Sequence, residues 1–267
     1  MNIIKILQYV FLGVIQGITE PIPISSSGHI LILKNLFNFK MLDDINFEII
    51  VNFGSFIAIF FLYRKEIFKI IQDFFNFIKT KKQIYKENYN YAWLIILGTL
   101  PAGILGLFLK DKIELISNNI KIIGIALLIT SCALFLIKDE KGQKDKTNIT
   151  ILDSIIIGLF QAIALFPGIS RSGSTIVGGM SSGLKRDTAF KYSFMLYIPM
   201  SVAATGLELT SINLHSDLIL YYAVAIIVST IVTLLVTKWF RKIVNNGKLI
   251  YFSIYCLIVG LLVILFL

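Results

Sequence analysis

Gln16-Gly-Ile-Thr-Glu20-Pro-Ile-Pro-Ile-Ser25-Ser26-Ser27-Gly28-His29 interrupts an apolar run from Ile3 to Phe37, and Pro167-Gly168-Ile-Ser170-Arg171-Ser172-Gly173-Ser174-Thr175 interrupts another from Ile151 to Leu184. Proline and glycine end helices, so each run reads as two half-helices around a polar turn. Six further apolar blocks have about the 17–25 residues that cross a hydrocarbon core as helix: Phe47–Tyr63, Ala92–Leu109, Ile120–Ile137, Ala189–Leu207, Leu218–Thr237 and Leu249–Leu267. Irregular backbone at membrane depth survives only when buried in protein or lining a wet cavity. The two turns are therefore expected to be re-entrant and interior. The expected fold is an all-α integral membrane protein, with six transmembrane helices and two re-entrant helix-turn-helix segments.

Composition supports the same class. Of 267 residues 56% are hydrophobic and 15% charged, against about a quarter charged in soluble domains. The apolar residues fill the chain, so a single membrane domain over residues 1–267 is expected. The net charge of +9 sits in short segments between apolar blocks, with no aromatic-interleaved basic face. That argues against nucleic acid and for cytoplasmic loops. Arg64–Tyr91, Lys138–Thr150 and Lys238–Lys248 then lie inside and the C-terminus outside; Lys5, on the outer side, fits less well. Met1 to Gly17 is read as part of the mature protein, because no small-residue cleavage site follows it. Cys132 and Cys256 are expected to be small packed side chains rather than a disulfide or metal pair.

The two interrupted runs match at an offset of 145 residues: Gly13 with Gly158, Gln16 with Gln161, Ile18 with Ile163, Ile24 with Ile169, Ser25 with Ser170, Ser27 with Ser172 and Gly28 with Gly173. Each copy, about 1–137 and about 151–267, holds one broken run and three spans. Three crossings invert the second copy, so an inverted-topology repeat is expected, with both turns near the midplane at one site.

Ionisable groups inside a membrane segment are costly and mark function by default. Arg171 suits phosphate oxygens, and glycine-rich turns opening helix N-termini supply N–H donors for an anion. Ser26 can attack phosphorus if a base stands nearby, and His29, three residues on, is the expected base. Glu20 can hold a magnesium or calcium ion, and Gln16 shares its helix face. A plainer alternative is that Glu20 and Arg171 form only a structural ion bridge. His215, near Asp217, is read as a solvated outer-loop residue.

Both motifs resemble the signatures of the bacterial undecaprenyl-diphosphatase family of the bacitracin-resistance type, and the resemblance spans essentially the whole chain. It implies hydrolysis of undecaprenyl diphosphate to the monophosphate at the outer face of the bacterial inner membrane. Recycling of the cell-wall lipid carrier, divalent-cation dependence and bacitracin resistance are implied with it. By position it makes Ser26 the nucleophile, Glu20 a metal or acid–base carboxylate, His29 an acid–base partner and Arg171 the phosphate clamp. Gln16, Ser25, Ser27, Gly28, Gly168, Ser170, Ser172, Gly173 and Thr175 would line the substrate site. Expected partners are a polyprenyl diphosphate lipid and the bilayer, with a homodimer also considered. Pro21 departs from the aromatic residue usual after the motif glutamate, and restricts the backbone of Glu20. A transporter or flippase of a phosphorylated polyprenyl lipid is the rival reading, because inverted repeats with broken helices are typical of transporters.

Overall fold

Backbone groups in lipid must be satisfied within the protein, and the chain answers with helix almost throughout. The computed structural model describes residues 3–37, 45–117, 119–208 and 218–267. Ten α-helices run through these: α1 (Ile3–Thr19), α2 (Ser26–Phe37), α3 (Ile45–Thr80), α4 (Lys86–Ser117), α5 (Ile120–Leu136), α6 (Ile151–Ile163), α7 (Arg171–Ser181), α8 (Arg186–Glu208), α9 (Ile219–Asn245) and α10 (Ile250–Phe266). Among the described residues there is no strand, only an isolated bridge between Lys144 and Leu184. His215 and Asp217 lie outside the described residues.

Both interrupted runs break where the prolines and glycines stand: α1 stops at Thr19 before Glu20-Pro21, and α6 stops at Ile163 before Pro167-Gly168. The long basic segment after Tyr63 does not form a loop. Instead α3 continues to Thr80, and α4 already starts at Lys86. The extension is amphipathic: Ile67 and Ile70 are buried, and Phe74 stacks on Tyr89 of α4 at 5.1 Å between ring centroids. Tertiary packing thus carries the helix beyond the apolar block.

Three segments, Phe47–Thr80, Gln83–Leu109 and Ile219–Asn245, are long and apolar enough to cross a bilayer on length and composition alone. Helices α5 and α10, with 17 residues each, reach about 25 Å. Helix α8 is long but more polar; its residues from Ala189 to Tyr197 are largely buried against neighbouring helices, so lipid does not dictate their chemistry. The opposite holds for α10, where Leu257, Ile258, Leu261, Leu262 and Leu265 are exposed as a lipid-facing surface. Cys256 on that helix is buried and Cys132 on α5 is exposed, so only one cysteine is packed; both are free thiols.

The second broken segment enters and leaves at one end of the molecule. Lys144 binds Asp153 in the first turn of α6 at 2.8 Å, and its carbonyl accepts from Lys185 just beyond α7. The same end holds Arg186, which donates to the Lys138 carbonyl, and Arg241 of α9, which pairs with Asp187. At the other end of α9, Tyr221 and Tyr222 pack with Tyr9 of α1, which also meets Phe47 near the start of α3. Lys5 lies over the Tyr221 ring there, 4.9 Å from its centroid. The two hairpins therefore open toward opposite ends, and the basic segments gather at one of them.

Packing exchanges partners between the halves: α1 lies along α9 and α6 along α4. Glycine makes both contacts close. A Cβ on Gly13 would sit 3.0 Å from the Ala225 carbonyl oxygen, and one on Gly158 2.5 Å from the Gly98 carbonyl oxygen. Small residues at such positions let membrane helices approach backbone to backbone. Helices α5 and α10 pair in the same manner through Gly124 and Gly260, and Ser131 and Ser253 donate to each other's carbonyls at 2.7 and 2.8 Å.

Gly158→Ala is therefore expected to lower stability by about 1–3 kcal/mol through overpacking. Gly103→Ala, where a Cβ meets nothing within 4 Å, should be neutral or stabilising by up to about 1 kcal/mol. Thermal melts of the detergent-solubilised variants check the contrast.

At the basic end, burial alone would raise the Asp187 carboxyl, but hydrogen bonds from Arg241, Lys191 and Asn245 outweigh it and hold the group well below the usual carboxylate range. A depressed folded pKa contributes stability that is complete above the unfolded value, about 3.9, and is lost as pH falls toward the folded one. Melting temperature should therefore drop more steeply below about pH 4 in the wild type than in Asp187→Asn.

Candidate active site

The site begins with two serine caps. Ser25 accepts from the Gly28 N–H at 3.2 Å at the start of α2, and Ser170 accepts from the Gly173 N–H at 3.1 Å at the start of α7. These are matched residues of the repeat, and each cap satisfies a first-turn donor that would otherwise be orphaned. Ser25 adopts a positive φ of 70°, rare for a residue with a side chain. The caps also change the expected roles. Gly28 and Gly173 give their N–H groups to their own caps rather than to a ligand, and Ser25 and Ser170 are buried in doing so.

Glycine brings the two turns together. A Cβ on Gly28 would lie 3.1 Å from the Cα of Gly168, and one on Gly173 3.1 Å from the Cβ of Pro23. Gly168 and Pro23 are themselves 145 positions apart, so the contact is made twice in related form. Gly168 adopts φ +91°, which needs glycine. Ser172 then donates to the Ile22 carbonyl at 3.1 Å across the junction. Ser27 lies 3.5 Å from the Ser25 hydroxyl. Thr175 is fully buried and turned to α8, its hydroxyl 2.6 Å from that of Ser193, so it supports α7 rather than lining an open site.

At the junction stands Glu20. Its Oε1 pairs with Arg171, and its Oε2 accepts from the Ser26 hydroxyl at 2.5 Å and from Gln16 Nε2 at 3.1 Å. The ion bridge considered from sequence is thus present, and it also holds the serine. Ser26 and Arg171 occupy matched positions of the two turns, so the two halves converge on one carboxylate. Its own counterpart in the second half is Leu165, which leaves the centre asymmetric. Pro21 directly behind Glu20 does not prevent these contacts, and the Glu20 N–H still closes the last turn of α1 on the Gln16 carbonyl at 2.9 Å.

Three neighbours position the charged groups. Asn52 of α3 accepts from Gln16 Nε2 at 2.6 Å. Tyr197 of α8 lies under the Arg171 guanidinium, 3.7 Å from the ring centroid, a contact suited to holding a cation in a desolvated place. Tyr255 of α10 stacks on His29 and shares a 2.7 Å hydrogen bond with its Nε2. His29 Nδ1 faces the Ser25 carbonyl at 2.7 Å. A carbonyl can only accept, so Nδ1 carries the proton, and in the neutral ring Nε2 accepts from Tyr255. Both ring nitrogens are thus engaged, neither with Ser26. The group in contact with the serine is Glu20, where sequence spacing pointed to His29.

Sequence reasoning missed Asn52, Tyr197 and Tyr255. Asn52 left a trace as the one amide within the Phe47–Tyr63 block; the tyrosines left none, since tyrosine is common in such helices. Two buried polar atoms at the centre lack hydrogen-bond partners among the described residues, Arg171 Nη1 and Gln16 Oε1. One is a donor suited to an anion, the other a neutral oxygen suited to a cation. Among the described residues no three His, Cys, Asp or Glu side chains cluster as a metal site.

Fold and site together define an all-α integral membrane protein with a buried carboxylate, serine and guanidinium at the meeting of two broken helices. Residues 9–262 match the family described as bacitracin resistance protein BacA. The chain is 41% identical to undecaprenyl-diphosphatase 2 of Bacillus thuringiensis, over 98% of both chains. It is 40% identical to undecaprenyl-diphosphatase 1 of Bacillus licheniformis over the full length of both, and 41% identical to an undecaprenyl-diphosphatase of Oceanobacillus iheyensis over 100% of this chain and 98% of the other. The chain belongs to the bacitracin resistance protein BacA family.

Side-chain exposures of 9% for Glu20 and 19% for Arg171 imply a large loss when one partner is removed. Arg171→Leu should destabilise by about 3–5 kcal/mol, because the carboxylate is left without its cation. The double variant Glu20→Gln/Arg171→Leu should recover part of that loss in thermal melts, and simple additivity would contradict a coupled pair.

Proposed function

We propose that this chain hydrolyses undecaprenyl diphosphate to undecaprenyl phosphate and inorganic phosphate. The observation that carries the reading is the convergence of Ser26 and Arg171 on Glu20, in a chain whose relatives bear the name undecaprenyl-diphosphatase. The prenyl chain stays in lipid while the diphosphate reaches the polar junction. Arg171 exchanges Glu20 for phosphate oxygens, using its unpartnered Nη1 first. Ser26 Oγ attacks the terminal phosphorus as its proton passes to Glu20, and the bond to the bridging oxygen breaks to release the monophosphate. Water then attacks the phosphoserine, giving inorganic phosphate and restoring the serine hydroxyl. Gln16 and Asn52 hold the Glu20 carboxylate toward Ser26, and His29, in its Nδ1–H form, stands at the start of α2 as a proton acceptor through Nε2 once Tyr255 yields.

A divalent cation belongs to this proposal. Glu20 Oε1, vacated by Arg171, and the free Gln16 Oε1 are oxygen donors that fit magnesium or calcium, with the substrate's phosphates supplying further ligands. When bound it would offset charge on the diphosphate, the dominant need in phosphoryl transfer.

The inverted repeat, with the basic end cytoplasmic and the active site open to the outer face of the bacterial inner membrane, completes the reading. It is supported by the gathering of the basic segments. Recycling of the wall-polymer lipid carrier and resistance to bacitracin belong to the same proposal. A second reading, lipid transport, is favoured by hairpins that open to opposite ends. It needs no Ser26–Glu20 contact, and Ser26→Ala would leave it intact.

Phosphate release by purified protein with undecaprenyl diphosphate and magnesium or calcium tests the proposal. Ser26→Ala should fall to background and Arg171→Ala by about 100- to 1,000-fold. Asn52→Ala, acting through Gln16, should lose about tenfold in kcat with little change in KM. No release from folded wild-type protein would overturn the hydrolase reading, and failure to trap phosphoserine by rapid quench would replace serine attack by direct water attack.

A further inference from the structure

Away from the Glu20 junction, a cavity of about 350 Å³ opens between α3, α8 and α9 at the basic end of the molecule. Its wall carries Lys65 and Glu66 of α3, Lys191 of α8, and Lys238 and Arg241 of α9, with Tyr63 deeper in. Lys191 and Arg241 are held by Asp187 at 2.9 and 2.8 Å, so part of their charge is already answered. Lys65 and Lys238 have no acidic partner among the described residues, and both are exposed at the mouth. Counting Asp187 beneath and Glu66 in the wall, four cations face two acids.

The Tyr63 residue is only 6% exposed, and its buried hydroxyl has no hydrogen-bond partner among the described residues. An orphaned donor in a cationic pocket is unfavourable unless something fills it. Outside the pocket wall the same helices carry exposed aromatic rings. Phe61, Phe68 and Trp239 are exposed on the same stretches of α3 and α9, and Arg64 covers the Phe61 ring. Exposed aromatic rings beside cations are the composition found at headgroup depth, and basic pockets between membrane helices take anionic lipid headgroups.

We propose that this pocket is a second anion site that binds a phosphate group, separate from the Glu20 centre and supplied by an anionic lipid of the adjacent leaflet. Lys65 and Lys238 are its charge donors, and Tyr63 is the hydrogen-bond donor to a phosphate oxygen. Its position between membrane helices favours the lipid over free phosphate, and either would present the same oxygens. The inference is independent of turnover and stands whether or not the junction hydrolyses a diphosphate.

Native mass spectrometry and thermal shift of the purified full chain, with phosphatidylglycerol, phosphatidylcholine and inorganic phosphate as separate probes, test it. Phosphatidylglycerol should bind saturably and raise the melting temperature, with phosphatidylcholine weaker. Lys65→Gln/Lys238→Gln should lose about tenfold or more in affinity, while the charge-matched Lys81→Gln/Lys82→Gln should not. Tyr63→Phe should weaken binding severalfold without lowering the stability of the unliganded protein, since it removes an unsatisfied hydroxyl. If inorganic phosphate binds and depends on the same lysines, the site stands with free phosphate as occupant. Binding of neither probe, or binding indifferent to both the lysine pair and Tyr63, overturns it.

Discussion

A carboxylate kept within a membrane protein must have its charge answered, and the need to answer Glu20 organises this molecule's centre. One oxygen is met by Arg171 from the other half of the chain, the other by Ser26 and Gln16 from its own half. Neither half could satisfy the group alone at this depth, where desolvation costs several kcal/mol per ion. The pairing therefore links the two broken helices across the junction. It also leaves a serine hydroxyl bonded to the carboxylate and one arginine nitrogen without a partner among the described residues.

The scaffold around that contact is nearly symmetric while its chemistry is not. Matched serines cap α2 and α7, matched glycines let the turns touch, and α1 and α6 each lie against a helix of the opposite half. Yet Glu20 faces across to Arg171, and its own counterpart is Leu165. Gln16 is bonded to Glu20 and Asn52, whereas its twin Gln161 is buried with no partner among the described residues for either amide atom. The matched residues build the junction, and the unmatched ones make its polar centre one-sided.

Interior polarity elsewhere follows the same rule of satisfaction. Ser55, Ser229 and Thr233 share hydrogen bonds between α3 and α9, and Tyr192 donates to the Leu94 carbonyl between α8 and α4. Such bonds replace what water would give a soluble core, and they let α8 carry more polar residues than its length in lipid would permit. At the basic end the partners become ionic, with Lys144 on Asp153 and Arg241 on Asp187.

The sequence by itself determined the membrane class, the helical content, the places where α1 and α6 break, the 145-residue repeat and the two polar turns. These are local properties: hydrophobic length, proline and glycine, and the cost of charge in lipid act on neighbouring residues and are legible in order. The reach of α3 past Tyr63 was not legible, because its buried face is defined by α4. Partner choice at the centre was decided only in three dimensions. Glu20 and Arg171 are 151 positions apart, Gln16 and Asn52 36, and His29 and Tyr255 226. Spacing placed His29 beside Ser26, three positions apart on α2, but each side chain bonds a partner from outside α2. The fold gave the serine to Glu20 and the histidine to Tyr255, because hydrogen bonds are made by direction and distance in space.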